Sequence, residues 1–241
     1  MTETAAPPRH PKSLAARVVG VLLSPRSTYA DVANHPRWLG ALLVVLVVAG
    51  GCVSAFMSTE TGKQAALEQQ VKTLESFGMK LNDAAYQRME KGMDRAWITA
   101  PLGQIVVFPI VALIVGGIVF AIFNAVLGGD AAFKQVYAIV VHSAIVVALQ
   151  QLFVMPLNYA RQTMSSPTNL AVFLPFLDEN SFAARMLGAI DLFIVWWAIS
   201  LSIGLGVLYH RRTAPIATTL LIVYVAIGVI IAAIKTAVAG A

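Results

Sequence analysis

Five long apolar runs separated by polar connections organise this chain: residues 39–57, 102–127, 136–155, 186–209 and 215–234. Each is close to the roughly 20 apolar residues that cross a bilayer as a helix. The pattern therefore predicts an all-α, polytopic membrane protein with five transmembrane helices, preceded by a short amphipathic interfacial helix. In this division residues 1–12 are a disordered head, 13–37 form cytoplasmic interfacial helices, and 38–235 form the membrane domain, with an extramembrane helical loop over 59–100.

The interfacial segment has two parts. In SLAARVVGVLL, Ser13 is placed to N-cap a helix whose Leu14, Val18, Val21 and Leu22 share a face, with Arg17 expected opposite. Ser24-Pro25 then opens a second short helix through Tyr29, Asp31 and Val32, and Asn34-His35-Pro36 stops it. Lys12, Arg17, Arg26 and Arg37 are expected near lipid headgroups, with Trp38 at the membrane boundary.

Between the first and second runs, 59–100 holds six acidic and six basic residues and is expected to leave the membrane. Thr61 with Gln64 reads as a capping box, Gly78 as a stop, and Asn82 or Asp83 as the cap of a second helix. Leu67, Val71 and Leu74, then Tyr86, Met89, Met93 and Trp97, recur at helical spacing, so these faces are expected to pack on the membrane domain or a neighbouring subunit. Gly128-Gly129-Asp130 makes a tight turn that sets the second and third runs antiparallel. Pro156 and Asn158 are expected to close the third run, and Phe173, Leu174, Phe176 and Leu177, broken by Pro175, suggest a re-entrant or interfacial segment.

Small residues mark expected helix contacts: Gly50, Gly51, Gly116, Gly117, Ser200, Ser202, Gly204 and Gly206. The polar residues inside the runs are the candidate intramembrane site, because ionisable or amide groups at membrane depth need a partner or a function. They are His142, Gln150, Gln151, Asp191, Asn124 and Gln104. Gln150, Gln151, Asp191 and Gln104 fall at a similar level, and His142 stands apart toward the other half. Such a set serves either as interhelical hydrogen bonds, worth about 0.6 kcal/mol each on average, or as a path for a proton, an ion or a lipid headgroup. The structural reading is favoured for the amides and, more narrowly, for His142 and Asp191.

Composition agrees with lipid as the main solvent: 58% hydrophobic and 12% charged residues, with a mean hydropathy of +0.76, against about 25% charged in soluble domains. The net charge of +5 suits an anionic membrane surface and calls for no nucleic acid. The lone Cys52 lies within an apolar run, and the polar start of the chain does not read as a cleavable signal. Counting basic residues by side gives eight with the N-terminus and nine opposite, six of the nine in the long 59–100 loop. Their density in the short connections favours a cytoplasmic N-terminus and an external C-terminus.

The segment ARVVGVLLSPRSTYADVANHPRW ahead of five runs resembles the bacterial branch of the Yip-one domain family. The matching pieces are Leu22 to Pro25, Tyr29 to Val32 and Pro36 to Trp38, with the Gly128-Gly129 turn before Phe133 to Tyr137 and the short basic turn between the last two runs. The resemblance implies a five-span integral membrane protein. Eukaryotic members are linked to Rab GTPases and vesicle traffic; with only about 37 residues before Trp38, a small GTPase is not the expected partner here. The Ala- and Val-rich composition points to a bacterial cytoplasmic membrane. No catalytic residues accompany the family. The chain has no His-Glu-x-x-His pair, no Gly-x-Ser-x-Gly elbow, no paired aspartates in facing runs and no phosphate-binding glycine loop. An enzyme, a metal centre and a cofactor are accordingly not expected. The expected partners are membrane lipids and a protein partner or second copy. The leading reading is a scaffold or adaptor, with a transporter or lipid-translocating protein as the alternative.

Overall fold

The computed structural model describes residues 11–178 and 181–239, so most of the head expected over 1–12 lies outside the described residues. Among these residues eleven α-helices account for the architecture: α1 Leu14–Leu23, α2 Pro25–Asn34, α3 Leu39–Met57, α4 Glu60–Ser76, α5 Asp83–Met93, α6 Ala96–Phe120, α7 Phe133–Ser143, α8 Ile145–Arg161, α9 Phe182–Gly188, α10 Leu192–Leu208 and α11 Thr213–Ala239. The fold is all-α and polytopic. Among the described residues four stretches are long and apolar enough to cross a membrane: α3, α6 with its continuation to Val126, α7–α8 together, and α11. At 17 residues α10 is shorter; it shares the near end with the others but starts level with Gln150 of α8, short of the opposite end.

Those ends are distinct. At the near end, α2 meets the start of α7, where Gln135 Nε2 donates to the Ala33 carbonyl at 2.9 Å. Arg211, before α11, donates to the Leu127 carbonyl, after α6, at 2.8 Å. At the far end, the ammonium of Lys235 in α11 sits 5.0 Å from the ring centre of Phe77, which closes α4. Alternate helices thus run in opposite directions, as short turns demand. The α7–α8 stretch is the most buried of the four, while α6 and α11 turn most of their surface outward, as lipid-facing flanks do.

Local chemistry explains the helix ends. Ser13 Oγ accepts from Ala16 N and Asn82 Oδ1 from Ala85 N, each satisfying a free N–H of a first turn. Gly78 at φ +76° ends α4 in the left-handed region that glycine enters without strain. The cap of α4 is Thr59, whose Oγ1 accepts from Gly62 N at 3.0 Å, rather than the Thr61–Gln64 box. Helix α8 runs through Pro156 to Arg161, so Pro156 and Asn158 do not close the third crossing. Proline removes one N–H, but a helix held by neighbours tolerates that loss. The helix expected from Met186 is instead broken: α9 stops at Gly188, and α10 starts after Asp191.

The far-end hairpin packs as its stripes suggested, in part. Leu67, Val71, Met89 and Met93 close over Phe56 and Met57 at the end of α3. Tyr86 and Trp97 remain exposed.

Candidate functional site

Asp191 is the centre of the far-end polar cluster. Its Oδ1 accepts from Gln150 Nε2 of α8 at 3.0 Å and from Phe193 N, in the first turn of α10, at 2.8 Å. Its Oδ2 accepts from Ser166 Oγ at 2.5 Å and Thr168 Oγ1 at 2.7 Å. The backbone around it is held as well, with Asp191 N donating to Tyr224 Oη of α11 and Leu192 N to the Thr168 carbonyl. The carboxylate therefore joins α8, α10 and the 162–169 segment, and the backbone N–H of the same residue adds α11. Four donors occupy its two oxygens, so the carboxylate is bonded within the protein and not offered to a ligand.

The expected meeting of Gln150 with Asp191 occurs, though by a different route. Because α8 extends to Arg161, Gln150 is eleven residues from its end, roughly 16 Å at the helical rise. The connection folds back to that depth through Ser166 and Thr168, so the polar part of the loop is the part that returns. Phe173 and Phe176, expected in a re-entrant or interfacial segment, are 61% and 79% exposed and do not join this cluster. Gln104 and Gln151 do not join Asp191, and the Oε1 atom of each is buried without a partner among the described residues.

A second cluster lies at the near end. Arg17 Nε donates to Asp31 Oδ2 at 2.8 Å, and its Nη2 donates to the His35 carbonyl at 3.0 Å. Lys12 adds its backbone N–H to Asp31 Oδ1 and its ammonium to Ser27 and Thr28. Arg17 is 2% exposed, which corrects its expected place among the headgroups. The reason is helical spacing: Arg17, Gly20 and Val21 stand three and four residues apart and share one inward face. Gly20 lets α2 approach α1, since a Cβ there would overlap Thr28. Arg26 and Arg37 remain exposed, and Trp38 packs edge-on against Tyr137 at 5.2 Å.

Helix α2 continues this cluster into the bundle. Tyr29 is fully buried and its hydroxyl meets Ser200 Oγ of α10 at 2.7 Å. One helical turn on, Gly204 leaves room for the Tyr29 ring and for Ile139: a Cβ there would stand 2.5 Å from Ile139 Cγ2 and 3.0 Å from Tyr29 Cδ1. Burial pushes the phenol of Tyr29 well above the ordinary tyrosine range. The other small residues divide. Gly50 faces Pro101, Gly116 faces Phe133 and Tyr137, Gly206 abuts the 211–213 turn, and Ser202 bonds back to the Ala198 carbonyl. Gly51 and Gly117 meet nothing within 4 Å, so those two do not mark a helix contact within the chain.

His142 is separate from both clusters. It has no exposed surface, and its Nδ1 lies 2.7 Å from the Ala138 carbonyl, which can only accept. Nδ1 therefore carries the proton, and Nε2 presents a lone pair without a partner among the described residues. Next to it Ser143 donates to the Val140 carbonyl at 2.7 Å, and the helix is interrupted at Ala144 before α8 begins. Side chains bonding back to carbonyls within one turn bend a helix in this way. Asn124 sits in a π-helical turn, Ala121–Val126, and serves the near end by donating to the Ala131 carbonyl and accepting from Tyr209 Oη, both at 2.7 Å.

Sequence reasoning passed over Tyr29, Asp31, Ser166, Thr168 and Tyr224 as site residues. Asp31 and Tyr29 carried a signal, a carboxylate and a phenol in a helix too polar to need lipid; Ser166 and Thr168, in an irregular loop, carried none. A family model described as the Yip1 domain matches residues 19–234, from within α1 to within α11. No curated protein and no solved structure matches the chain.

Proposed function

The chain belongs to the Yip1 domain family, and on that premise we propose that this integral membrane protein is a non-enzymatic scaffold or adaptor in membrane organisation. The observation that supports this reading is the enclosure of the two ionisable members of the intramembrane set. Asp191 has both oxygens bonded to four protein donors and His142 has no exposed surface. A transport path needs groups that reach water or substrate, and neither side chain does so.

The surfaces left for docking are the outward face of α1, with Val19 and Leu23 exposed, and the far-end hairpin with Phe77, Met79 and Tyr86. Val18 and Leu22 pack inward, so α1 would meet a partner through Val19 and Leu23. We place the N-terminus in the cytoplasm and the C-terminus outside a bacterial inner membrane, from the density of basic residues in the short connections.

Two measurements test the proposal. Photo-crosslinking from position 15, exposed on the same face of α1, in intact cells should trap one stoichiometric protein, lost on Val19→Ser with Leu23→Ser. Vesicles holding the purified chain should show no ion flux or lipid scrambling above empty vesicles. Flux above that level would favour the alternative, a transporter or lipid-translocating protein, whose support is the unpartnered Nε2 of His142 beside a helix interruption.

A further inference from the structure

We propose that the near end carries a binding site for one anionic phospholipid, with the phosphate held by Arg26 and Arg212 and an acyl chain lying between α6 and α11. A cavity of about 670 Å³ opens between Arg26 of α2, the end of α10 at Gly206, and the His210-Arg211-Arg212 turn. Beside it runs a second depression of about 480 Å³, walled by Ile118, Ile122, Phe123, Ile216, Leu220 and Val223. Arg211 and Arg212 line both. The two therefore adjoin at Arg211 and Arg212, one basic and the other apolar.

Charge selects the occupant. Arg26, Arg211 and Arg212 stand together, and Asp130, whose charge acts on the adjacent Tyr209, is the acidic residue of the neighbouring turn. Arg211 is tied to the Leu127 carbonyl, which fixes the turn against α6. Arg26 and Arg212 make no ion pair and no side-chain hydrogen bond among the described residues, although both are exposed. Their guanidinium forks match phosphate oxygens, and α11 begins at Thr213 with its free N–H groups at the same wall. The turn itself is held open in an uncommon conformation: His210 has φ +51°, at a helix end where glycine enters that region without strain.

The apolar part fits a chain already in the membrane. Ile118, Ile122 and Val223 are exposed toward the lipid-facing side, and the π-helical turn Ala121–Val126 widens α6 where Ile122 and Phe123 form the wall. A soluble anion would use the basic end and leave the groove unused. A neutral lipid would use the groove and leave the cations unpaired. A phospholipid with a net negative headgroup satisfies both, independently of the scaffold reading.

The test uses the full chain purified in mild detergent and native mass spectrometry with added dioleoyl phosphatidylglycerol or dioleoyl phosphatidylcholine. The expected result is retention of one phosphatidylglycerol in preference to phosphatidylcholine. Arg26→Gln with Arg212→Gln should weaken that retention roughly twenty-five-fold, at about fivefold per cation facing an anionic lipid, while Arg26→Lys with Arg212→Lys, which keeps the charge and loses the fork, should fall between that variant and the wild type. Thr219→Phe, which fills the groove from α11, should weaken it without changing the melting temperature. Equal retention of the two lipids, or no change in the Gln double variant, would overturn the proposal. Displacement of the lipid by inorganic phosphate at constant ionic strength would assign the cations to a free anion and equally overturn it.

Discussion

Arg17 and Asp31 form an ion pair at 2.8 Å with their side chains only 3% and 12% exposed, closing α1 onto α2 at the mouth of the bundle. Removing one partner leaves the other charge buried, so Arg17→Ala should lower stability by about 3–5 kcal/mol, whereas Arg17→Met with Asp31→Leu should recover most of that loss. Denaturation of Arg17→Met, Asp31→Leu and the double variant in detergent provides the cycle. Additive losses would mean that the two side chains act separately.

Tyr29→Phe keeps the ring and removes the hydroxyl, leaving Ser200 buried without its 2.7 Å partner. The expected loss is about 1–2 kcal/mol. Alkaline pH probes the same contact. Because burial raises the folded phenol above its unfolded value near 10, its contribution is complete below about pH 10 and is lost as pH rises toward the folded value. The wild type should thus fall in stability above about pH 10 more steeply than Tyr29→Phe.

Asp191→Ala removes the acceptor shared by Gln150, Ser166, Thr168 and Phe193 N. A lost cap alone costs about 0.5–2 kcal/mol, and stranded buried donors add about 1–3 kcal/mol more. Hydrogen exchange should rise first in residues 163–170 and at the start of α10. Unchanged protection there would show that the loop is held by its backbone contacts with Ile190 and Leu192 instead.

Glycines of one sequence class should separate by environment. Gly204→Val drives side-chain atoms into Tyr29 and Ile139 and should cost about 1–3 kcal/mol by overpacking. Gly117→Ala, with open space around it, should be neutral or stabilising by up to about 1 kcal/mol, the helix-propensity difference. Thermal melts of the two variants would distinguish these environments.

Apolar run length and cap chemistry made much of this fold readable. The α3 helix occupies the whole first run, Ser13 and Asn82 cap as their types suggest, and Gln150 meets Asp191. Hydropathy says less about which helix faces which. The sequence of α2, PRSTYADVAN, has little apolar surface, and its burial depends on Ser200 and Gly204, two residues whose role needs a partner in space. Arg17 was misplaced for a related reason. A cation three or four residues from an inward-facing Gly20 and Val21 must itself face inward, and only the Asp31 carboxylate makes that tolerable. The Ser166 and Thr168 contacts were hidden because irregular backbone leaves no periodic trace.

The docking of α2 also sets an order of events during synthesis. Ser200, which receives Tyr29, leaves the ribosome 171 residues after it, on the order of ten to thirty seconds later at ordinary elongation rates. Through that interval the α1–α2 pair can pack on α7, through Gln135 and Ala33, but Tyr29 has no α10 to receive it. The first helices made are thus among the last to be fully seated, and their docking finishes the fold.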